Sequence, residues 1–160
     1  MGAKIVLWNL MKNKCFSIGF FLFLCAAIAS SGQSISPKDR ICGKWESTVK
    51  NLRILVYLEG NQFKAKLIWF SHTNGKPMGY WTDVNNPDPK LRKRKLLGMS
   101  ILRNLTYDPE KHSWENGMVY DSSNGREWNA SAYIGKKGHL HVRGYWHFKF
   151  IGKTINFFRI

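Results

Sequence analysis

The feature that most constrains the fold of this chain is a series of short segments in which apolar and polar side chains alternate. The clearest pair flanks Gly60-Asn61: residues 52–59 carry aliphatic side chains at every second position, and residues 62–70 alternate in the same way. This period of two is typical of a β-strand with one buried face. Gly and Asn tolerate the positive φ angles of a tight hairpin turn. The sequence therefore predicts a β-hairpin, and the side chains expected on one face of its second strand are Phe63, Ala65, Leu67 and Trp69.

Similar segments recur along the chain without a long amphipathic helix between them. We expect strands at 43–50, 52–59, 62–70, 99–107, 114–121, 126–134, 139–148 and 153–160. Eight strands can close an up-and-down barrel whose interior holds side chains or one small ligand. Closure also removes the exposed edge strands that promote aggregation. We therefore predict an all-β fold, an eight-stranded antiparallel barrel that occupies residues 41–160 as a single domain.

The segment at 71–98 breaks this pattern and is long for a loop inside a compact domain. Its Asn86-Pro87-Asp88 sequence is typical of a helix start, with Asn86 as the N-cap, Pro87 at the first position and Asp88 near the positive end of the helix dipole. We expect one short helix over about residues 87–94.

The N-terminus has the features of a cleavable signal peptide. Lys12 and Lys14 precede an uncharged apolar segment at 15–29, which ends in a small-x-small pattern that signal peptidase accepts. The apolar segment is shorter than the roughly 20 residues needed to span a bilayer. We therefore expect residues 1–29 to be removed before Ser30, and residues 30–40 to form a flexible lead-in. Translation from Met1 and from Met11 both fit this pattern.

An exported destination follows from this leader, either periplasmic or secreted. Leu24 precedes Cys25 at the position where a lipoprotein signal requires a small residue, so no lipid anchor is expected. The leader contributes three Lys and no acid to the net charge of +15, which leaves +12 on the mature part. Such a charge favours anionic ligands or an acidic envelope surface. Nucleic acid is not expected as a partner, because an exported protein meets little of it and the aromatic residues follow the core pattern.

Two positions at the ends of the barrel sequence carry a first resemblance. Gly43-Lys44-Trp45 begins the first strand, and Arg159 lies near the end of the last. This pairing resembles the lipocalin-like, or calycin, barrels. The resemblance implies that Trp45 fills the closed end of the barrel and that Arg159 covers its indole ring by a cation–π contact.

Several spaced blocks carry a closer resemblance. These are Asp83 to Met99, Gly117 to Asp121, Gly125, and Leu140 to Tyr145. In this order they are similar to the signature of a bacterial family of small exported proteins known only as a domain of unknown function. The resemblance implies a lipocalin-like barrel in the cell envelope and implies no activity. One departure is Phe157, where members of that family often have Trp.

The candidate ligand-binding residues combine acidic, basic and aromatic side chains. They are Asp83, Asn86, Asp88, Arg92, Arg94, Tyr120, Arg143 and Tyr145. Arginine donates two parallel hydrogen bonds to a carboxylate or phosphate, so Arg92 and Arg94 can form an anion-binding fork. Alternatively, the acids of this segment pair with its arginines and hold it over the barrel. Both interpretations remain open from the sequence.

The candidate structural residues are Gly43, Trp45, Asp121, Gly125 and Arg159. Asp121 is expected to accept hydrogen bonds from the N–H groups of the following turn, and Gly125 to take its positive φ. Arg143 and Tyr145 share a strand face with three histidines. That face can line the barrel interior, but we favour an arrangement in which it meets water while Leu140, Val142, Trp146 and Phe148 face the core.

No arrangement of residues with a recognisable catalytic or metal-binding pattern is found. His139-x-His141 has the spacing of two metal ligands on a strand, but no third ligand is marked, so we expect no metal and no cofactor. Three functions remain. The first is binding of a small apolar or anionic ligand, the second is docking of the basic residues 90–95 on an acidic partner or membrane surface, and the third is an unrecognised enzyme activity. An open interior cavity favours the first, and a filled interior favours the second.

Overall fold

The computed structural model of the chain describes residues 35–71 and 74–160. The predicted signal peptide and residues 30–34 of the predicted lead-in lie outside the described residues. The strands are β1 (Gly43–Ser47), β2 (Leu52–Glu59), β3 (Gln62–Phe70), β4 (Ser100–Asp108), β5 (Ser113–Asp121), β6 (Arg126–Ile134), β7 (Leu140–Tyr145) and β8 (Gly152–Arg159). Short 3-10 helices lie at Pro37–Ile41, Met78–Tyr80 and Pro89–Leu91. Within this part of the chain, no helix combines the length and the apolar character needed to cross a bilayer.

The eight strands form one closed antiparallel barrel in which each strand pairs with its neighbour in the sequence. Closure comes from β8, which pairs with β1 and sets Trp45 opposite Arg159. The predicted eight-stranded up-and-down barrel is confirmed. The hairpin at Gly60 is a two-residue turn between the paired Glu59 and Gln62, and Gly60 has a φ of 61°.

One end of the barrel is closed by Trp45, which is fully buried. The guanidinium carbon of Arg159 lies 4.2 Å from the centre of the Trp45 ring, and Arg159 also donates a hydrogen bond of 2.7 Å to the carbonyl of Cys42. The predicted contact between Trp45 and Arg159 is therefore present. Gly43 has a φ of 131°, and a side chain there would clash with the Arg159 guanidinium, so glycine is required next to this contact.

The residues before β1 also belong to this closed end. Pro37–Ile41 forms a 3-10 helix, a structure that the predicted lead-in did not include. The indole N–H of Trp45 donates to the carbonyl of Ile41 at 2.8 Å, and that of Trp114 donates to the carbonyl of Lys38 at 3.0 Å. These bonds fix the helix because a buried indole N–H requires an acceptor.

Large side chains fill the half of the barrel next to Trp45. Phe63 and Trp114 meet edge to face at 6.2 Å, and both are almost completely buried. Leu105 and Leu140 complete this layer with no exposed surface. The apolar core is therefore concentrated at the closed end.

One sequence expectation about β3 is wrong. Leu67 pairs with Ile54, but Trp69 pairs with Arg53, so a bulge at Ile68 shifts the alternation by one residue. Phe70 then lines the interior, while Trp69 lies against Arg53, whose guanidinium carbon is 4.8 Å from the ring centre. An extra residue in one strand reverses the faces of those that follow it.

The helix expected over residues 87–94 is reduced to a single 3-10 turn at Pro89–Leu91. Its N-cap is Asp88, which accepts from the N–H of Lys90 at 2.9 Å, and not Asn86. Pro87 and Pro89 lack N–H groups, and the carbonyl of Arg94 accepts from the N–H of Asp83. Because the chain turns back on itself at this bond, an α-helix cannot continue.

We predict that Arg159→Ala lowers the free energy of unfolding by about 2 kcal/mol, because it removes a cation–π contact and backbone hydrogen bonds at the barrel closure. The measurement is equilibrium unfolding in urea. Arg159→Lys keeps the charge but not the planar group, so it should be intermediate. An unchanged midpoint for Arg159→Ala would contradict the role of this contact.

Candidate functional site

The half of the barrel away from Trp45 contains a cavity of about 720 Å³. Its walls are mainly apolar, because the inward positions of seven strands carry aliphatic and aromatic side chains there. The lining includes Leu52, Ile54, Leu67, Phe70, Ile101, Leu102, Val119, Trp128, Val142, Ile155 and Phe157. The volume lies in the range of about 300–1,000 Å³ that is typical of small-molecule sites.

Polar side chains line the part of this cavity that is nearest its opening and farthest from Trp45, which we call the upper part. They are Asn51, Tyr120, Asp121, Ser122, Ser123, Tyr145 and Lys153. Lys153 pairs with Gly144 and shares the inward face of β8 with Ile155 and Phe157. Among residues 35–71 and 74–160, no carboxylate forms an ion pair with Lys153. The mouth of the apolar cavity therefore carries the Lys153 ammonium and the Asp121 carboxylate, and neither forms an ion pair within the described residues.

A buried polar network joins the segment between β3 and β4 to the wall of this cavity. Its centre is Asp83, which has no exposed surface. The carboxylate accepts from Arg94 Nη2, Asn86 Nδ2 and the hydroxyl of Tyr120, each at 2.7 Å. Arg94 also lies over the Tyr120 ring, with its guanidinium carbon 5.6 Å from the ring centre. Three donors thus satisfy a carboxylate that would be costly to bury alone.

This network determines the protonation states of the Asp83 carboxyl group and the Tyr120 hydroxyl group. Burial alone would raise the pKa of Asp83, but the hydrogen bonds from Asn86, Tyr120 and Arg94 and the Arg94 charge outweigh it and lower that pKa. Burial, the hydrogen bond to Asp83 and the Asp83 charge raise the pKa of Tyr120. Asp83 is therefore ionised and Tyr120 neutral at physiological pH.

The same segment is also attached to the β5–β6 turn. Asn85 Nδ2 donates to the carbonyl of Ser123 at 3.0 Å and to that of Ser122 at 3.2 Å. Gly125 has a φ of 71°, and a Cβ there would clash with the carbonyl of Asn85. Asp121 accepts from the N–H of Ser123 at 2.9 Å, as expected for this turn. Glycine is therefore required at position 125 for two reasons. The first is its positive φ, and the second is the close approach of residues 74–99, which we call the covering segment.

The structure brings only some of the predicted ligand-binding residues together. Asp83, Asn86, Arg94 and Tyr120 form the network, and Arg92 joins it through a 2.8 Å bond to the carbonyl of Asn86. The predicted alternative, in which the acids of the segment pair with its arginines, is therefore met only by Asp83 and Arg94, because Arg92 bonds to a carbonyl. Asp88 caps the 3-10 turn instead.

The predicted residues on β7 divide between two environments. Tyr145 lines the cavity mouth. Arg143 points to the outside and donates to the carbonyls of Lys149 and Phe150 and to Thr154. Leu140 and Val142 are buried, as favoured from the sequence. The expectation that Trp146 and Phe148 also face the core is wrong: β7 ends at Tyr145, and both lie exposed in the loop that follows.

The other reactive side chains lie outside the cavity. His141 stacks on Tyr133 at 4.5 Å and contacts Asn156 at 2.8 Å. In the part of the chain that the structure describes, no three His, Cys, Asp or Glu side chains are grouped as metal ligands. Cys42 lies at the closed end, where burial, followed by the charge of Asp39, raises the pKa of its thiol.

Sequence reasoning missed three contributors to the site, which are Asn85, Trp128 and Lys153. A signal existed for Lys153, since it alternates with the apolar Ile155 and Phe157 and must share their face. No local pattern identifies Asn85, because its partners lie 37 and 38 positions away.

A closed eight-stranded barrel with a Trp and Arg at one end and an apolar cavity at the other is the architecture of lipocalin-like proteins. The chain belongs to the family described as an uncharacterized protein conserved in bacteria, DUF2147, whose model matches residues 43–159. The match confirms the bacterial family predicted from the sequence, and the barrel confirms the lipocalin-like fold. The search of curated proteins found no match.

Among solved structures, the chain is similar to a protein from the human pathogen Helicobacter pylori that is described as belonging to the lipocalin family. The two share 22% sequence identity with a TM-score of 0.64, over 74% of this chain and 82% of that one. At this identity the similarity concerns the fold alone.

We predict that Asp83→Asn destabilises the barrel by about 2 kcal/mol, because it leaves Arg94 without its anionic partner while solvent screens part of the loss. The folded-state pKa of Asp83 is below its ordinary value of 3.8. Its contribution to stability is therefore present above about pH 3.8 and is lost as the pH falls through the lower, folded-state pKa. Urea unfolding at several pH values should show this acid dependence reduced in Asp83→Asn.

The matched control is Asp88→Asn, which changes an exposed acid in the same segment and retains an N-cap side chain. Its stability should stay within about 0.5 kcal/mol of the unchanged protein. Equal effects of the two substitutions would contradict a special role for the Asp83 network.

Proposed function

We propose that this protein binds a small, mainly apolar molecule that carries an anionic group, and that it does so inside the barrel. The observation that supports this most directly is the 720 Å³ cavity lined by aliphatic and aromatic side chains. Protein interiors are normally packed without voids of this size, so a cavity this large supports a role in ligand binding. Burial of apolar ligand surface against these walls would provide the binding free energy.

The preference for an anion rests on the charges around the cavity mouth. Lys153 points into the upper cavity and has no acidic partner within the described residues. Asp121, the acid nearby, accepts bonds from Ser123 and Asn124 within its own turn. An amphipathic molecule with its chain in the barrel and its acidic group at Lys153 fits both features. No catalytic role is assigned to the site.

We predict that Val119→Trp lowers the affinity for cis-parinaric acid, a fluorescent fatty acid, by about tenfold or more, which corresponds to about 1.4 kcal/mol. Val119 pairs with Leu102 and Trp128 in the cavity wall, so a larger ring there occupies the ligand volume. The measurement is a fluorescence titration of the mature protein. Val119→Ile at the same position is the matched control and should bind almost normally.

Two further results bear on the proposal. Lys153→Gln should weaken binding of the acid but not of its methyl ester, because only the acid carries a charge. Titrations in which the unchanged protein shows no saturable binding, or in which Val119→Trp binds equally well, would contradict ligand binding in this cavity.

We also propose that the protein acts in the cell envelope after export. The support is the leader at residues 1–29, with its basic start, apolar segment and small-x-small end. Mass spectrometry of the protein from fractionated bacteria should find an N-terminus at Ser30 in the envelope fraction. Recovery of the uncleaved chain from the cytoplasm would refute this localisation.

A second candidate function is docking through the basic residues 90–95 on an acidic surface. Lys90, Lys93 and Lys95 are exposed and form no ion pair within the described part of the chain, whereas Arg94 is bound to Asp83. Such contacts would weaken at high ionic strength, since solvent-exposed charges are screened over about 10 Å at 0.1 M salt.

A further inference from the structure

The loop between β7 and β8, residues 146–151, exposes an unusual amount of apolar surface. Four of its six side chains are large and exposed: Trp146 (55%), Phe148 (59%), Phe150 (78%) and Ile151 (57%). Phe148 and Phe150 stack on each other at 5.4 Å. Contiguous exposed apolar residues of this kind mark an interaction surface.

The conformation of this loop is held by polar contacts from the barrel wall. Arg143 donates to the carbonyls of Lys149 and Phe150, and Asn129 Nδ2 donates to the carbonyl of Trp146 at 2.6 Å. The N–H of Ile151 donates to the carbonyl of Phe148 at 3.0 Å. Four of the six loop carbonyls thus accept hydrogen bonds while the aromatic rings remain exposed, so the backbone that carries these rings is held in place before any partner binds.

The position of the loop connects it to the cavity. Trp146 and Ile151 are exposed and also line the cavity, so the apolar interior continues onto the outer surface at this point. Because strands alternate in direction, this loop lies at the same end of the barrel as residues 48–51, 71, 74–99 and 122–125. We call these four connections the open rim.

The open rim is also strongly basic. Its four segments carry eight Lys or Arg and two Asp, a net charge of +6 out of +12 for the mature part. Lys149 is paired with Glu115, so the free charge lies mainly on residues 90–95. Exposed aromatic residues next to basic ones are characteristic of segments that lie at the interface of an anionic bilayer.

We propose that the open rim docks on an anionic phospholipid bilayer, with Phe148 and Phe150 inserted among the headgroups and the basic segment above them. Charge complementarity selects this partner, because a net charge of +6 and four exposed apolar side chains at the same end of the barrel fit a surface that is both anionic and apolar. Docking in this orientation turns the cavity mouth toward the membrane. The docking itself does not require a ligand in the cavity, so this proposal and ligand binding can fail separately.

The test is sedimentation of the mature protein with vesicles of phosphatidylcholine alone or mixed with phosphatidylglycerol. We expect binding to the mixed vesicles, weaker binding to the neutral ones, and a decrease when the salt rises from about 0.1 M to about 1 M. The double substitution Phe148→Ser and Phe150→Ser should lower partitioning about tenfold or more, because it removes the inserted apolar surface.

The matched control is the double substitution Leu58→Ser and Ile160→Ser, which removes two exposed apolar side chains from the closed end. This variant should bind vesicles normally, and so should Val119→Trp, whose change is confined to the cavity. Circular dichroism of each variant checks that the barrel is retained.

Three results would overturn the proposal. The first is no binding of the unchanged protein to anionic vesicles. The second is equal binding by the Phe148→Ser, Phe150→Ser variant, which would leave only the charge of residues 90–95 as the attractive feature. The third is a dimer in sedimentation velocity that this variant converts to a monomer, which would make the loop an interface between two copies.

Discussion

The pairing of β1 with β8 is the contact on which the rest of the structure depends. These strands are the first and last of the chain, so their pairing carries the largest loop-closure entropy of all the strand pairs. Trp45 and Arg159 lie opposite each other at this seam, and the ring-to-guanidinium contact adds to the ladder where closure is hardest. Once the seam is formed, no strand is left with a free edge.

Closure at one end allows the other end to remain empty. Phe63, Leu105, Trp114 and Leu140 provide a packed layer next to Trp45, so the barrel has an apolar core away from the cavity. The covering segment is fixed by the buried carboxylate of Asp83 in addition to apolar side chains such as Leu96 and Met99. Hydrogen bonds depend on direction, so the Asp83 network specifies one position for the segment in a way that apolar contacts would not.

The barrel could be predicted from the sequence because it depends on features repeated in every strand. Alternation over residues 52–70 and the turn at Gly60 are local signals, whereas the pair of Trp45 and Arg159, at opposite ends of the barrel sequence, was identified by its resemblance to lipocalin-like barrels. The expected position of Trp69 was wrong because the bulge at Ile68 adds one residue to β3. The alternation of residues 62–67 gives no indication of this bulge. The helix expected after Asn86 was also wrong: Asn86 Oδ1 does accept from the N–H of Asp88, but only the turn at Pro89–Leu91 follows before the carbonyl of Arg94 bonds back to the N–H of Asp83.

The candidate site was harder to predict for a related reason. The residue types of Asp83, Arg94 and Tyr120 fit both an anion-binding fork and a structural network. Only the distances between these side chains distinguish the two interpretations. The cavity itself is a volume left by side chains from seven strands, so no residue identifies it alone. Sequence patterns specify which face a side chain takes, whereas an empty space depends on the sizes of all the neighbours that share that face.

The apolar cavity and the basic surface are best understood together. A protein that keeps an apolar interior open to water, with Trp146 and Ile151 at its mouth, is at risk of self-association through that opening. A net charge of +12 on residues 30–160 opposes such contacts between copies, because like charges repel. The same charge favours the anionic ligand and the anionic surface that we propose. One physical property thus opposes self-association of the open barrel and supports both proposals.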